Sequence, residues 1–297
     1  MPTETVPNTL NSQGKLNLLN MLENIGSSNL ANDLMNTLLN VLNPNLLNNQ
    51  EFLLRYLLLA AVLDQQAESD SARQTVKEIF RKYGDSFFMQ PSNYFSDIHS
   101  VLHLALEKYS PRSRVLRMKK EGITFHRIGG FLLAIHSISH RFGSLYRYFT
   151  RFKTPTTLLN KGVLGEPLLS GLLYEKAARL YVGWITHPQL FVRIYGNSIP
   201  KDSIPMVVNG HVTKVLARTG FLDKVSVENR ESMIVEAERE RTRIENMVKS
   251  VKPGGDLFSI DYGAFYIGMN YCYEQNPNCG ECPLNAICRR NIIFRAY

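Results

Sequence analysis

Cys272, Cys279, Cys282 and Cys288 are the only cysteines in 297 residues, and they fall within 17 positions as C-x6-C-x2-C-x5-C. Thiolates are soft ligands, and four of them so close in sequence can wrap one tetrahedral centre, either a zinc ion or an iron–sulfur cluster. Zinc sites usually bring their ligands as two short pairs separated by a longer spacer. A single C-x2-C inside a compact loop suits a cluster better. Disulfides are the competing account, but they need an oxidising compartment, and no secretion signal is visible.

The elements that must position these ligands read as helices. Asp261 to Tyr271 is an apolar stretch that would deliver the first cysteine, and Val227 to Val251 carries the mixed-sign charges of a solvated helix (Glu236, Glu238, Arg239, Glu240, Arg241, Arg243, Glu245). Residues 1–50 hold thirteen Asn and twelve Leu. From Leu16 their apolar spacing is helical, with Leu34, Leu38, Leu42 and Leu46 recurring at i, i+4. Asn43-Pro44 is predicted to end that helix, because the residue before proline avoids the helical region. Glu51 to Leu63 reads as a buried helix leading into the turn Asp64-Gln65-Gln66-Ala67. Ser71-x-x-Gln74 predicts a capping box for a helix that stops at Gly84, and Tyr94 to Lys108 predicts another. More helices follow from about Gly122.

Composition sets the frame. A hydrophobic content of 44% is ordinary for a globular chain that could form one large or two modest domains. The longest apolar run, Phe52 to Leu63, is broken by Arg55 and is shorter than the ~20 residues that a membrane-spanning helix needs. An intracellular monomer (cytoplasm or nucleoid) with no membrane partner is the expectation. The net charge of +8 is concentrated: Pro111 to Lys153 holds ten Lys/Arg, among them Arg112, Arg114 and Arg117, against the single acid Glu121. Tyr146, Tyr148, Phe149 and Phe152 interleave with the last of these. Such a segment can neutralise and stack on a polyanion, or be the solvated face of a basic helix. His99/His103 and His136/His140 lie at i, i+4, outside any H-E-x-x-H motif, and read as helix-face residues. No Gly-rich phosphate loop and no G-x-S-x-G elbow appears.

The cysteine spacing, Gly268 four residues before Cys272, and the run P-x-C-G-x-C-P-L-x3-C from Pro277 to Cys288 together resemble the [4Fe–4S] loop of the endonuclease III family of DNA glycosylases. That family is the iron–sulfur branch of the helix-hairpin-helix superfamily. The resemblance extends over roughly Glu51 to Arg290. Leu169-Ser170-Gly171-Leu172-Leu173, before a helix from Tyr174 to Ile185, is similar to the family's L-P-G-V-G hairpin, whose backbone N–H groups approach a DNA phosphate. Only one of its two glycines, Gly171, is kept. Gln66 stands where relatives carry a glutamine that wedges into the DNA stack.

Two positions depart from the family pattern. Bifunctional relatives carry a lysine two residues after the second hairpin glycine; Glu175 stands there, with Lys176 about 100° further round the helix. The family's V-D-x-H-v-x-R-v motif is matched by Val208-Asn209-Gly210-His211-Val212-Thr213-Lys214-Val215, which places Asn209 at the catalytic aspartate. Asn can cap a helix but cannot take a proton or carry negative charge. A substitution that traps an inactive form, a weaker enzyme whose Asn orients water, and a protein that binds without cutting all stay open. Asp202, Glu166 and Glu175 are possible substitute acids. The link from Thr186 to Pro205 is longer than in endonuclease III.

The resemblance implies an all-α protein with a two-lobed helix-hairpin-helix glycosylase fold. A central helical barrel would span 51–200, and a cluster lobe would be built from 1–50 with 201–297. It implies a structural [4Fe–4S] cluster on Cys272, Cys279, Cys282 and Cys288. Double-stranded DNA bearing a lesion or mismatch would be held by Gln66, Gly171, Leu172, Tyr174, Arg112, Arg114 and Arg117, and chemistry would fall to Asn209, Glu175 and Lys176. The implied activity is hydrolysis of one flipped base's N-glycosidic bond by a mono-functional enzyme. The alternatives are a catalytically inactive iron–sulfur lesion sensor and a zinc-stabilised module. The cluster loop lacks basic residues, and Arg289, Arg290 and Arg295 could supply that charge.

Overall fold

The structure, a computed structural model, describes residues 9–196, 198–222 and 230–291, with no side chains for 230–238. Every regular element among them is helical. The nine longer helices are α1 (Ser12–Leu34), α2 (Gln50–Asp64), α3 (Ser69–Tyr83), α4 (Ile98–Lys108), α5 (Lys120–Phe142), α6 (Glu175–Thr186), α7 (Gly210–Arg218), α8 (Arg230–Val251) and α9 (Leu257–Asn270). Among the described residues no helix is long and apolar enough to cross a membrane. The chain divides into two units, Ala31–Ile199 and Met1–Leu30 with Pro200–Tyr297. The first boundary thus falls at 30/31, inside α1, where the sequence placed it at 50/51.

The continuous unit is built around α2. Phe52 to Leu63 is buried on every face, so the helix shows no polar stripe. Arg55 interrupts that run and is itself buried. It is held by Glu51, the carbonyls of Phe88 and Met89, and Ser139 Oγ at 2.6–3.3 Å. Charge pairing together with hydrogen bonding is what makes such burial tolerable. The Asn/Leu-rich start is helical, as its spacing predicts, but Asn43-Pro44 begins a helix rather than ending one. α1 passes into a π turn at Met35–Leu39; Asn43 then caps Leu46 N–H and Pro44 sits at the first position of Pro44–Leu47. Proline needs no N–H partner there. The capping box at Ser71 is not formed. α3 starts at Ser69, and Ser71 Oγ instead donates to Glu68 and accepts from Ser110 N–H. Gly84 ends α3 at φ +67°, as predicted. The long link after α6 packs against this unit: Leu190, Val192 and Ile194 are buried, and the Gln50 amide bonds Phe191 O and Arg193 N.

The discontinuous unit packs α1, α7, α8 and α9 around Leu22, Val212, Leu216, Val248, Ile260 and Ile267. α1 and α9 touch backbone to backbone. A Cβ on Gly263 would fall 2.0 Å from Leu22 O, and one on Gly26 1.8 Å from Ser259 O. Gly268 plays the same part between α9 and α7, since its Cβ would meet His211 Cβ at 2.8 Å. α8 is less solvated than its charge pattern predicts, because Arg241 and Glu245 are buried and Arg241 Nε donates to Val207 O.

Candidate nucleic-acid groove and thiol cavity

The end of α2 and the start of the basic segment are tied together. Ala67 and Pro111 form an antiparallel bridge, flanked by Glu68 N–H on Ser110 O and Arg112 N–H on Gln66 O, both 3.0 Å. This pairing holds Gln66 at φ +55°, a left-handed backbone that costs a non-glycine residue roughly 1–2 kcal/mol. Its side chain is exposed.

Gln65, which the sequence reading passed over, is the buried partner. It donates to the carbonyls of Val62 (3.1 Å) and Leu172 (2.7 Å) and accepts from Tyr174 N–H (2.8 Å). One side chain thereby fixes the hairpin turn Gly171–Tyr174 against the end of α2. The turn's other N–H groups are also spent, Gly171 on Pro167 O and both Leu172 and Leu173 on Leu169 O. Gly171 itself is right-handed, at φ −70°. The N–H groups of Gly171–Tyr174 are therefore spent, and the backbone contact with a phosphate that the resemblance implies is left to the N-terminus of α6.

Gln66, Gly171, Leu172 and Tyr174 nevertheless line one open groove of about 560 Å³, together with Gln65, Leu116, Lys119, Ile123, His126 and Arg127. Tyr174 is 67% exposed and presents an aromatic face. Arg112, Arg114 and Arg117 lie on the segment that supplies Leu116 and Lys119. Ser113 caps the short helix Arg114–Met118. Arg117 is partly engaged by Pro111 O and Glu68, whereas Arg114 meets no acid among the described residues. Val115 and Met118 are exposed between these cations. Glu175 opens α6 and pairs with Arg179 at 2.9 Å, and Lys176 follows it, half-buried. Glu166, a substitute acid by sequence, is buried against Arg141 at 2.7 Å. The paired histidines are exposed on α4 and α5.

In the discontinuous unit one helix carries two features at its opposite ends. At the N-terminus of α7, Asn209 Oδ1 accepts from His211 and Val212 N–H at 2.9 and 3.1 Å. The cap thus engages the amide oxygen, leaving the NH2 as the group it can offer elsewhere. Val208, just before it, is buried at φ +46°, a strained conformation for a β-branched residue. The buried carboxylate of Asp261 holds it there by accepting Val208 N–H at 2.8 Å.

At the C-terminus of α7, both sides of the cysteine loop dock on the helix end. Arg218 donates to the carbonyls of Tyr273 and Glu274 and lies 3.5 Å from Cys272 Sγ. Asn291 N–H and Arg289 N–H meet the carbonyls of Arg218 and Thr219, and Asn291 Nδ2 meets Ala217 O. The carbonyls that a helix end leaves open are so used to fasten the loop.

All four cysteines line one cavity of about 220 Å³, with Ile267, Leu284 and Tyr271 as its apolar wall. Burial pushes the Cys282 thiol up, and Cys272, Cys288 and Cys279 push it further, against a backbone hydrogen bond at Leu284. Burial raises Cys288 too, with Cys272 and Cys279 adding to it. Raised in this way, Cys282 and Cys288 favour the protonated thiol unless a cation sits beside them. Among the described residues no three His, Cys, Asp or Glu side chains converge on a single metal ion. Arg289 and Arg290 are exposed beside the loop, and Arg290 bonds Asn285; Arg295 lies outside the described residues. No family model matches the chain, and no curated protein matches it.

Proposed function

We propose that the chain is a DNA glycosylase of the helix-hairpin-helix iron–sulfur type, which takes a damaged or mismatched base out of the stack and hydrolyses its N-glycosidic bond without a lyase step. One observation carries the reading. A single helix, α7, has the motif residue Asn209 at its N-cap and the four-thiol loop docked on its C-terminal carbonyls. Cys272, Cys279, Cys282 and Cys288 would hold a [4Fe–4S] core as thiolates, and its contribution is structural, a rigid loop braced on α7 by Arg218. The groove beside the basic segment supports a DNA partner, since exposed cations and the exposed Tyr174 ring, with Gln66 in the same lining, suit a phosphate backbone and an unstacked base, although Tyr148 and Phe149 of that segment are buried. Lesion-bearing or mismatched duplex is the partner because such bases flip most cheaply. Lysine-based chemistry is disfavoured by Glu175, which sits at the lysine position and pairs with Arg179.

A second reading, binding without cleavage, is favoured by Asn209 itself. Its oxygen is engaged by the helix cap, and an amide cannot accept the proton of an attacking water. Incubating the protein and its Asn209→Asp variant with duplexes that each carry one modified or mismatched base, followed by alkali, separates the two. Strand breaks with both proteins support the enzyme. Breaks only with Asn209→Asp support a binder that keeps the site, and no breaks with either, on any duplex, refute the glycosylase.

A further inference from the structure

The continuous unit buries two arginines and provides for them differently. Arg55, 4% exposed, is surrounded by a carboxylate, two carbonyls and a hydroxyl. Arg127, 5% exposed, has one long hydrogen bond of 3.4 Å to Leu63 O and the Tyr109 ring at 5.5 Å. No acid pairs with it among the described residues. Leaving a buried cation without a partner is costly. Burial pulls its guanidinium down to about 10, with Tyr174 and Asp64 opposing, so it remains charged at neutral pH.

Arg127 lines the same groove as the hairpin residues Gly171, Leu172 and Tyr174, as do Lys119 and His126. His126 Nε2 donates to Gly171 O at 3.2 Å. The hairpin turn has no N–H left for an anion, since all four of its residues bond internally or to Gln65. We propose that Arg127, with Lys119 of the same groove, is a seat for a phosphate group and supplies the phosphate contact that the closed hairpin turn does not. A planar guanidinium matches two phosphate oxygens at once, and the bound anion provides the directly paired counter-charge, since Asp64 acts on Arg127 without forming an ion pair. That the phosphate is a backbone diester of duplex DNA rests on the function proposed above; the seat itself does not.

The test is Arg127→Met in the full chain, a change that keeps length and removes charge. A structural arginine loses stability on this change, whereas a charge kept vacant for a ligand does not. The variant should melt at or above the wild-type temperature. Inorganic phosphate, compared with chloride at equal ionic strength, should raise the melting temperature of the wild type and leave the variant unmoved. The variant should bind a short duplex at least tenfold more weakly, and its slope of log K against log salt should be smaller by about 1. A variant that melts several degrees lower, or that keeps the wild-type phosphate response, overturns the proposal. Phosphate protection of the wild type that Arg127→Met abolishes, without duplex binding by either protein, keeps the seat and removes DNA as its source.

Discussion

Gln65 and Gln66 are chemically identical neighbours, and the structure assigns them opposite consequences on substitution. Gln65→Leu keeps nearly the same volume in a site that is 8% exposed, but it strands Leu172 C=O and Tyr174 N–H, now bonded at 2.7 and 2.8 Å. At about 1–3 kcal/mol for each stranded group the loss is roughly 4 kcal/mol. In a unit of this size that lowers the melting temperature by roughly 10 °C, at about 2–4 °C per kcal/mol. Gln66→Gly acts in the other direction. Glycine relieves the φ of +55° but adds about 0.5–1 kcal/mol of unfolded-chain entropy, so stability should stay within about 1 kcal/mol of wild type. Thermal and urea denaturation followed by circular dichroism measure both, and duplex binding at fixed salt measures the second function of the pair. Gln66→Gly should weaken binding while leaving the fold intact. If Gln65→Leu melts within 2 °C of wild type, or Gln66→Gly is the more damaging change, the assignment of one residue to the fold and its neighbour to the groove is wrong.

Other substitutions test other parts of the account. Gly263→Ala drives a methyl into Leu22 O and should cost about 3 kcal/mol or prevent folding, whereas Gly84→Ala meets no atom within 4 Å and should cost only the backbone strain of φ +67° and ψ −158°, about 1–3 kcal/mol. Replacing Arg112, Arg114 and Arg117 together with Ala should weaken duplex binding and flatten its salt slope by about 2–3, and an unchanged slope removes that segment from the interface. Arg218→Leu removes the donors on Tyr273 O and Glu274 O; the loop should lose protection in hydrogen exchange and become cleavable by protease, while the exchange of α2 stays as it was.

One residue type can carry a signal without any fold. Four cysteines in 17 positions point to a shared centre before any fold is known, and the structure lines one cavity with all of them. The hairpin was legible as a place but not as a bonding pattern, because the side chain that closes it comes from position 65, more than a hundred residues earlier. Nothing in the local sequence separates Gln65 from Gln66. α2 is apolar on every face, so its pattern has no phase from which to tell which glutamine turns inward. Arg127 is one of ten basic residues in its segment, and its own signal is its register: it falls four residues before Phe131 and eight before Ile135, on the buried stripe of α5. An arginine in an apolar stripe needs a partner, and asking for one would have singled it out. Asp261 was hidden differently. It reads as one polar residue in an apolar helix, and only the fold brings it to the strained Val208 N–H.

The central claim is that Cys272, Cys279, Cys282 and Cys288 share one iron–sulfur core. Iron, acid-labile sulfide and zinc, measured per chain on protein purified without oxygen and compared with a Cys282→Ala variant, test it directly. The account predicts a brown protein with about four irons and four sulfides per chain, both lost together in the variant. One zinc per chain without iron, or four freely titrating thiols and no metal, would contradict it.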